Sequence, residues 1–346
     1  MYLKSTSRLK IILSNIFILG TNSLISSSFF NNWICIGISN KINYLSSNPH
    51  KVNIGDLPLI IWRNPSTKKL ISTINICKHM GSRLDKGTVL PNGCVKCPYH
   101  GLEIDDQFGK VIEHQGKIFW AYDPIEKTPP KMPFYNNKNF EKSFLEIDMD
   151  CSLQDSAYNT MDLRHPEFVH NKMFGFGNVV PPQNIKHYKY SNNDIGMSFD
   201  YSSNSIMKML NDNINVTNNF HMYVYPTFSW SKVTFNKKHL LIGVNLLPLK
   251  KKKTRWYVTV VSNYYKSSFE QNFLQKLAET ILNQDYIQMK NQFEENELKK
   301  KFMFQHVFPN EEPILELNKM FESYKYPDTI EVLKLLNEKN KLNPNI

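Results

Sequence analysis

Two short motifs constrain this chain more than anything else in it: Cys77-Lys78-His79 and, seventeen residues on, Cys97-Pro98-Tyr99-His100. Both lie at the ends of β-rich runs, so the loops that carry them can converge. Each loop offers one thiolate and one imidazole. In a [2Fe–2S] cluster of mixed ligation, two thiolates hold one iron and two neutral imidazoles the other, which raises the potential well above that of an all-cysteine cluster. With Cys77, His79, Cys97 and His100 as ligands, each iron would be bound by both loops and the cluster would staple the domain. Gly81, Gly93 and Gly101 flank the ligands, where tight turns and amide-to-sulfur approaches favour residues without a side chain. Structural zinc is the competing assignment, because Cys and His at these spacings suit a tetrahedral site, and Cys94-x-x-Cys97 offers a zinc-like pair. The order of both half-motifs and their adjoining glycines favour the cluster, with Cys94 a bystander.

At 346 residues the chain exceeds what one hydrophobic core usually organises, so two domains with a buried interface are expected. A hydrophobic content of 41% with 13% aromatic residues excludes a disordered chain. Five cysteines, an odd number, do not make a disulfide framework and point to a reducing intracellular compartment, cytoplasmic or organellar. Cys35 and Cys151, in apolar or strand-like contexts, read as inert buried thiols. The 42 Lys and Arg against 31 Asp and Glu give a charge of +11, which suits an acidic partner. The basic residues are nevertheless spread out. Their one dense run, Lys250 to Lys253, follows Pro248 between two strand-like segments and reads as a solvated hairpin loop, so nucleic acid is not the expected partner.

Residues 31–135 read as a small antiparallel β domain, with runs such as Leu59–Arg63 and Lys69–Ile76 divided by the turn Asn64-Pro65-Ser66-Thr67. Pro124, Pro129, Pro130 and Pro133 crowd the connection to a second domain, residues 136–325. That domain shows a helical stretch around Ser156–Val169 and a loop at Phe174–Pro182. Strands follow at Phe220–Trp230, Leu240–Leu247 and Arg255–Tyr264, then a long helix from Ser268 to Leu282 or beyond. Strands curled against that helix make an α+β domain with an interior cavity. Met207, Met209, Phe220 and Met222 are candidates to line it, or plain core. Residues 326–346 read as a tail. Residues 1–30 form an extension in which Lys4, Arg8 and Lys10 precede an apolar stretch, Ile11 to Gly20, too short to span a bilayer. A targeting segment, a membrane-associating helix and a plain extension all remain open for it.

A second constellation is Asn159-x-x-Asp162-x-x-His165-x-x-x-x-His170. Three-residue steps bring Asn159, Asp162 and His165 to one helix face. On a regular helix His170 would lie roughly 140° from His165. Pro166, which lacks an N–H for the carbonyl of Asp162, is expected to kink the helix and aim both imidazoles at one metal. Two histidines with one carboxylate leave open positions on Fe(II), the arrangement of non-haem oxygenases, so a third ligand is required.

The segments Cys77-Lys78-His79-Met80-Gly81 and Cys97-Pro98-Tyr99-His100-Gly101-Leu102-Glu103 resemble the ligand loops of the Rieske non-haem iron oxygenases. Rieske proteins of respiratory complexes carry a further cysteine in each loop, which Ser82 and its neighbours do not match. The pattern Asn-x-x-Asp-Leu-x-His resembles the oxygenase (alpha) components of vanillate and dicamba O-demethylases, and is similar to pheophorbide oxygenase-like members. The resemblance covers about residues 31–291. It implies an antiparallel β Rieske domain followed by a helix-grip-like catalytic domain, with the third iron ligand at Asp285 in Asn283-Gln284-Asp285-Tyr286-Ile287. Glu294 is the fallback. The family often has Glu where this chain has Gln284. The resemblance also implies that Asp162 bridges His100 of one subunit and His165 of the next, in a ring of three, with Asn159 behind the ligands. The implied activity is O2-dependent monooxygenation or oxidative demethylation of an aromatic, pigment or sterol-like substrate. Electrons would come from a ferredoxin or an NAD(P)H-dependent reductase, since no nicotinamide or flavin motif is present. A Rieske electron-transfer protein without oxygenase activity is the alternative.

Overall fold

The structure, a computed structural model, describes residues 29–42, 47–170, 181–190, 194–201, 217–235, 237–264, 267–292 and 297–342. The basic and apolar N-terminal stretch, most of the Phe174–Pro182 loop, Met207, Met209 and Glu294 lie outside them. Among the described residues no helix is long and apolar enough to cross a membrane.

Nine short strands come first: β1 (Ile34–Ile38), β2 (His50–Ile54), β3 (Leu57–Arg63), β4 (Leu70–Ile74), β5 (Thr88–Val89), β6 (Val95–Lys96), β7 (Glu103–Ile104), β8 (Lys110–His114) and β9 (Lys117–Ala121). They form three small antiparallel sheets, ordered β1-β9-β8, β2-β3-β4 and β5-β6-β7. The third is the smallest, and its own core of Ile60, Trp62, Leu84, Val95 and Ile104 includes both Cys77 and Cys97. The indole of Trp62 is 2% exposed and donates to the Gly93 carbonyl at 2.8 Å, which ties this sheet to β3.

The second region opens with β10 (Glu141–Met149), followed by α1 (Leu153–Met161) and the single turn α2 (His165–Phe168). Six strands follow: β11 (Gln183–Lys189), β12 (Ile195–Tyr201), β13 (Thr217–Val224), β14 (Phe228–Phe235), β15 (Lys238–Lys250) and β16 (Lys253–Ser262). With β10 they make a seven-stranded antiparallel sheet, ordered β10-β16-β15-β14-β13-β12-β11. Lys251 and Lys252 turn the β15–β16 hairpin, in keeping with a solvated loop. The helix α3 (Ser268–Lys290) packs on β10 and is started by a capping box between Ser267 and Glu270. Leu274, Leu282 and Met289 recur at helical spacing on its buried stripe, which anchors it by area removed from water. The remaining helices are α4 (Glu297–Phe302), α5 (Glu312–Glu322) and α6 (Thr329–Leu342). The whole is α+β, an antiparallel β region followed by a sheet-and-helix region.

The two regions share one continuous core, in which Ile36, Leu57 and Trp120 pack in the same cluster as Leu246 and Trp256. Across the seam the Tyr257 hydroxyl donates to the Ile36 carbonyl at 3.1 Å, and Lys117 Nζ donates to Thr259 Oγ1 at 2.9 Å. Residues 326–346, which read as a tail, contain α6 with Val332 and Leu335 buried. Its start is joined to the first region, since Asp56 accepts from Thr329 N at 2.9 Å while its own N–H meets the Pro327 carbonyl at 2.8 Å.

Candidate metal centres

The two N-terminal loops have the same backbone design. Cys77 N donates to Ser82 O at 2.8 Å and Gly81 N to Cys77 O at 2.8 Å; Cys97 N donates to Leu102 O at 2.8 Å and Gly101 N to Cys97 O at 3.1 Å. Gly81 and Gly101 close these turns at φ 73° and 75°, a left-handed conformation that costs a side-chain-bearing residue about 1 kcal/mol or more. Both thiols are buried beneath the loops and lie within hydrogen-bonding reach of each other, while His79 and His100 are exposed with ring centroids 4.8 Å apart. The four side chains thus pair thiol with thiol and ring with ring, the division a mixed-ligand [2Fe–2S] cluster needs. A single zinc ion would instead draw all four atoms together. Among the described residues only His165, His170 and Asp285 form a group compact enough for one ion.

Burial pushes the Cys97 thiol up, but the amides of Tyr99 and His100 and the side chains of Cys77 and Ser82 outweigh it, so its pKa falls below the ordinary value. For Cys94, burial and the carboxylates of Glu103 and Asp105 all push upward, as suits a bystander. Cys35 and Cys151 are buried, and desolvation pushes both up to about 12.

The second group is assembled from far apart in the chain. His165 and His170 stand on and just past α2, Asp285 near the end of α3, and their ligand atoms lie within 4.8 Å of one another. Asp285 Oδ1 is 3.2 Å from His170 Nε2 and 3.6 Å from His165 Nε2. Neighbouring ligands on one ion, with bonds of about 2.1 Å, have such separations. Both imidazoles present Nε2 because Nδ1 is engaged elsewhere. His165 Nδ1 meets the Asp162 carbonyl at 3.0 Å, and His170 Nδ1 meets Gln284 Oε1 at 2.8 Å. These oxygens accept, so each Nδ1 keeps its proton and each Nε2 its lone pair. Burial lowers the His165 pKa despite the carboxylates of Asp162 and Asp285, which favours the neutral ligand form. Asn159 Nδ2 donates to Asp285 Oδ1 at 3.2 Å, so Asn159 reaches the carboxylate and not a histidine. Gln284 is the contributor that sequence reasoning missed. Its signal was the departure from Glu directly before Asp285.

The chain turns here differently from the kinked helix expected at Pro166. α1 already ends at Asp162, whose extended backbone breaks it, and Pro166 sits in the first turn of the separate α2, where a missing N–H costs nothing. Asp162 organises the break, its Oδ1 accepting from Arg164 N at 2.8 Å and His165 N at 3.3 Å. Within one chain Asp162 therefore touches the His165 ring through its backbone carbonyl. α1 is in turn held by its Ser152 cap, by Trp256 Nε1 donating to Ser156 at 2.9 Å and by a buried pair of Asp155 with Lys299. At the other wall, Tyr286 donates to Asp150 at 2.9 Å and fixes the turn of α3 that carries Asp285.

Residues 32–117 match the Rieske [2Fe-2S] domain. The chain is 28% identical over 151 residues to the oxygenase component of dicamba O-demethylase from Stenotrophomonas maltophilia, covering 36% of this chain and 44% of that one. It is 21% identical over 254 residues to chloroplastic pheophorbide a oxygenase of Oryza sativa subsp. japonica, covering 61% and 45%. The chain thus spans less than half the length of these two curated relatives. A crystal structure of dicamba monooxygenase bound to dicamba has a like fold, with a TM-score of 0.70 at 16% identity over 88% of this chain and 98% of that one. NdmA of Pseudomonas putida CBB5 with caffeine likewise gives 0.70, at 14% identity over 86% and 92%. Residues 32–117 are therefore a Rieske [2Fe-2S] domain, and the chain as a whole shares the two-region fold of dicamba monooxygenase.

Proposed function

We propose that this chain is an oxygenase component that carries electrons from a separate ferredoxin or NAD(P)H-dependent reductase to O2 and an organic substrate. Cys77, His79, Cys97 and His100 would hold the [2Fe–2S] cluster, and His165, His170 and Asp285 a mononuclear Fe(II). The observation that carries the reading is the convergence of two imidazole Nε2 atoms on Asp285 Oδ1, at 3.2 and 3.6 Å. His165, His170 and Asp285 would hold Fe(II), which would supply open coordination positions for O2 activation. The rest is the work of the chain itself. Gln284 and the Asp162 carbonyl keep the protons on Nδ1, Asn159 holds the carboxylate, and burial of His170 and Asp285 to 2% and 5% exposure excludes water. A pure electron carrier would have no use for this second group.

The relatives named above act on dicamba, an aromatic, and on pheophorbide a, a pigment, so monooxygenation or oxidative demethylation of such a compound is the reading they support. The exposed rings of His79 and His100 suit electron exchange with a partner surface. Asp162, half-exposed, would accept from His100 of a neighbouring copy in a trimer, while its backbone keeps His165 in place.

Nitric oxide added to the reduced, Fe(II)-loaded protein tests the reading. Wild type should give the half-integer high-spin iron–nitrosyl resonance, and Asp285→Ala should lose it while keeping the visible spectrum of the cluster. A signal that survives in Asp285→Ala removes this carboxylate from the site. No signal in wild type removes the oxygenase reading.

A further inference from the structure

The face of the seven-stranded sheet turned towards α1 and the triad is largely apolar. Strand alternation puts Leu240, Ile242, Val244 and Leu246 of β15 on it, paired with Ser262, Val260, Val258 and Trp256 of β16. The wall changes character on β13 and β14. There His221 stands level with Met197 of β12 and Ser231 of β14, with Asn219 and Ser229 on the same face. Asn219 is satisfied, its Nδ2 donating to Thr217 O at 3.0 Å and Oγ1 at 3.1 Å.

His221 is not satisfied. Its Nδ1 is shielded from solvent and has no hydrogen-bond partner among the described residues, although the residue as a whole is only half-buried. Phe199 meets it edge to face with ring centroids 5.0 Å apart. Burial holds the imidazole neutral, with a pKa pushed down to about 3, and His165 lies near enough to press in the same direction. Its cross-strand neighbours Met197 and Ser231, and Ile242 beyond, carry no charge. A shielded polar group without a partner destabilises a fold, and one kept on this wall beside a candidate metal centre is in place to meet a ligand that completes it.

We propose that His221 is a specificity-determining residue, hydrogen-bonding one uncharged polar atom, a carbonyl or hydroxyl oxygen, of a mainly apolar substrate and turning that substrate towards His165, His170 and Asp285. The inference deepens the oxygenase reading and rests on it. A substrate of this class has an apolar body and one oxygen, which would meet His221 at the β13–β14 corner.

Equilibrium binding of two probes, indane and 1-indanol, to the full-length protein tests this, with iron content measured on the same samples. Wild type should bind 1-indanol about tenfold more tightly than indane, the worth of one hydrogen bond to an otherwise unpartnered group. His221→Phe should bring the two affinities within about twofold and leave that of indane unchanged, whereas His221→Gln, which keeps a donor and an acceptor, should retain most of the preference. His221→Met serves as the apolar variant if the Phe variant does not fold. Equal affinities in wild type, binding of neither probe, or a preference that survives the apolar substitution overturns the proposal. Discrimination in a protein that binds no mononuclear iron would keep the role of His221 and sink the oxygenase reading; iron without discrimination would do the reverse.

Discussion

His79 and His100 stand exposed on loops turned by two left-handed glycines, whereas His170 and Asp285 are 2% and 5% exposed between α2 and α3. The first site is local, since all four of its candidate ligands fall between residues 77 and 100 and hang over a core of their own. The second spans residues 159 to 285 and depends on the packing of α1, α2 and α3. The difference suits two tasks. An exposed imidazole edge can meet an electron donor or a neighbouring copy, while a buried centre keeps water from the chemistry. It also means that the two sites should respond to damage separately.

The largest expected effect follows from that separation. His79→Ala should abolish the cluster spectrum and turnover yet leave mononuclear iron in place, and His170→Ala should do the opposite. Trimers mixed from the two inactive variants should regain part of the activity that neither parent shows. If trimers form and mixing restores nothing, electrons do not pass between subunits and the bridging role of Asp162 fails. A smaller loss is expected at the support beneath the buried site: Gln284→Leu removes the acceptor for His170 Nδ1 and should weaken iron binding roughly 10- to 100-fold, with the cluster untouched. Unchanged affinity would show that the Gln284 contact does not orient the ring. The smallest effect belongs to the exposed loop. Gly101→Ala, at φ 75°, should destabilise the first region by about 1–2 kcal/mol in denaturant titration while iron binding at the triad stays at the wild-type level. Loss of that iron would show that the regions are not separable.

The same contrast explains what could be read from the chain alone. The cluster motif is legible because its candidate ligands are close in sequence and their glycines carry a backbone requirement. The α3 carboxylate was harder. Asp285 sits on the stripe of Leu282 and Met289, where a charged residue breaks the apolar pattern, but only a resemblance pointed to it. The contact between Gln284 and His170 joins residues 114 positions apart and has no local signature. Pro166 is ambiguous in sequence because a proline within a helical pattern marks either a kink or the first turn of a new helix. The extended backbone at Asp162 decides for the second. His221 offered nothing in the sequence, since an unpartnered ring nitrogen is a property of packing.

We propose above all that one chain carries two different iron centres. Iron, zinc and acid-labile sulfide should be counted in the purified protein, together with the electron paramagnetic resonance spectrum after reduction. Two such centres should give a brown protein with three irons and two sulfides per chain and a rhombic signal from the reduced cluster, with one iron and no sulfide lost in Asp285→Ala. A colourless protein containing zinc and no sulfide would contradict the proposal.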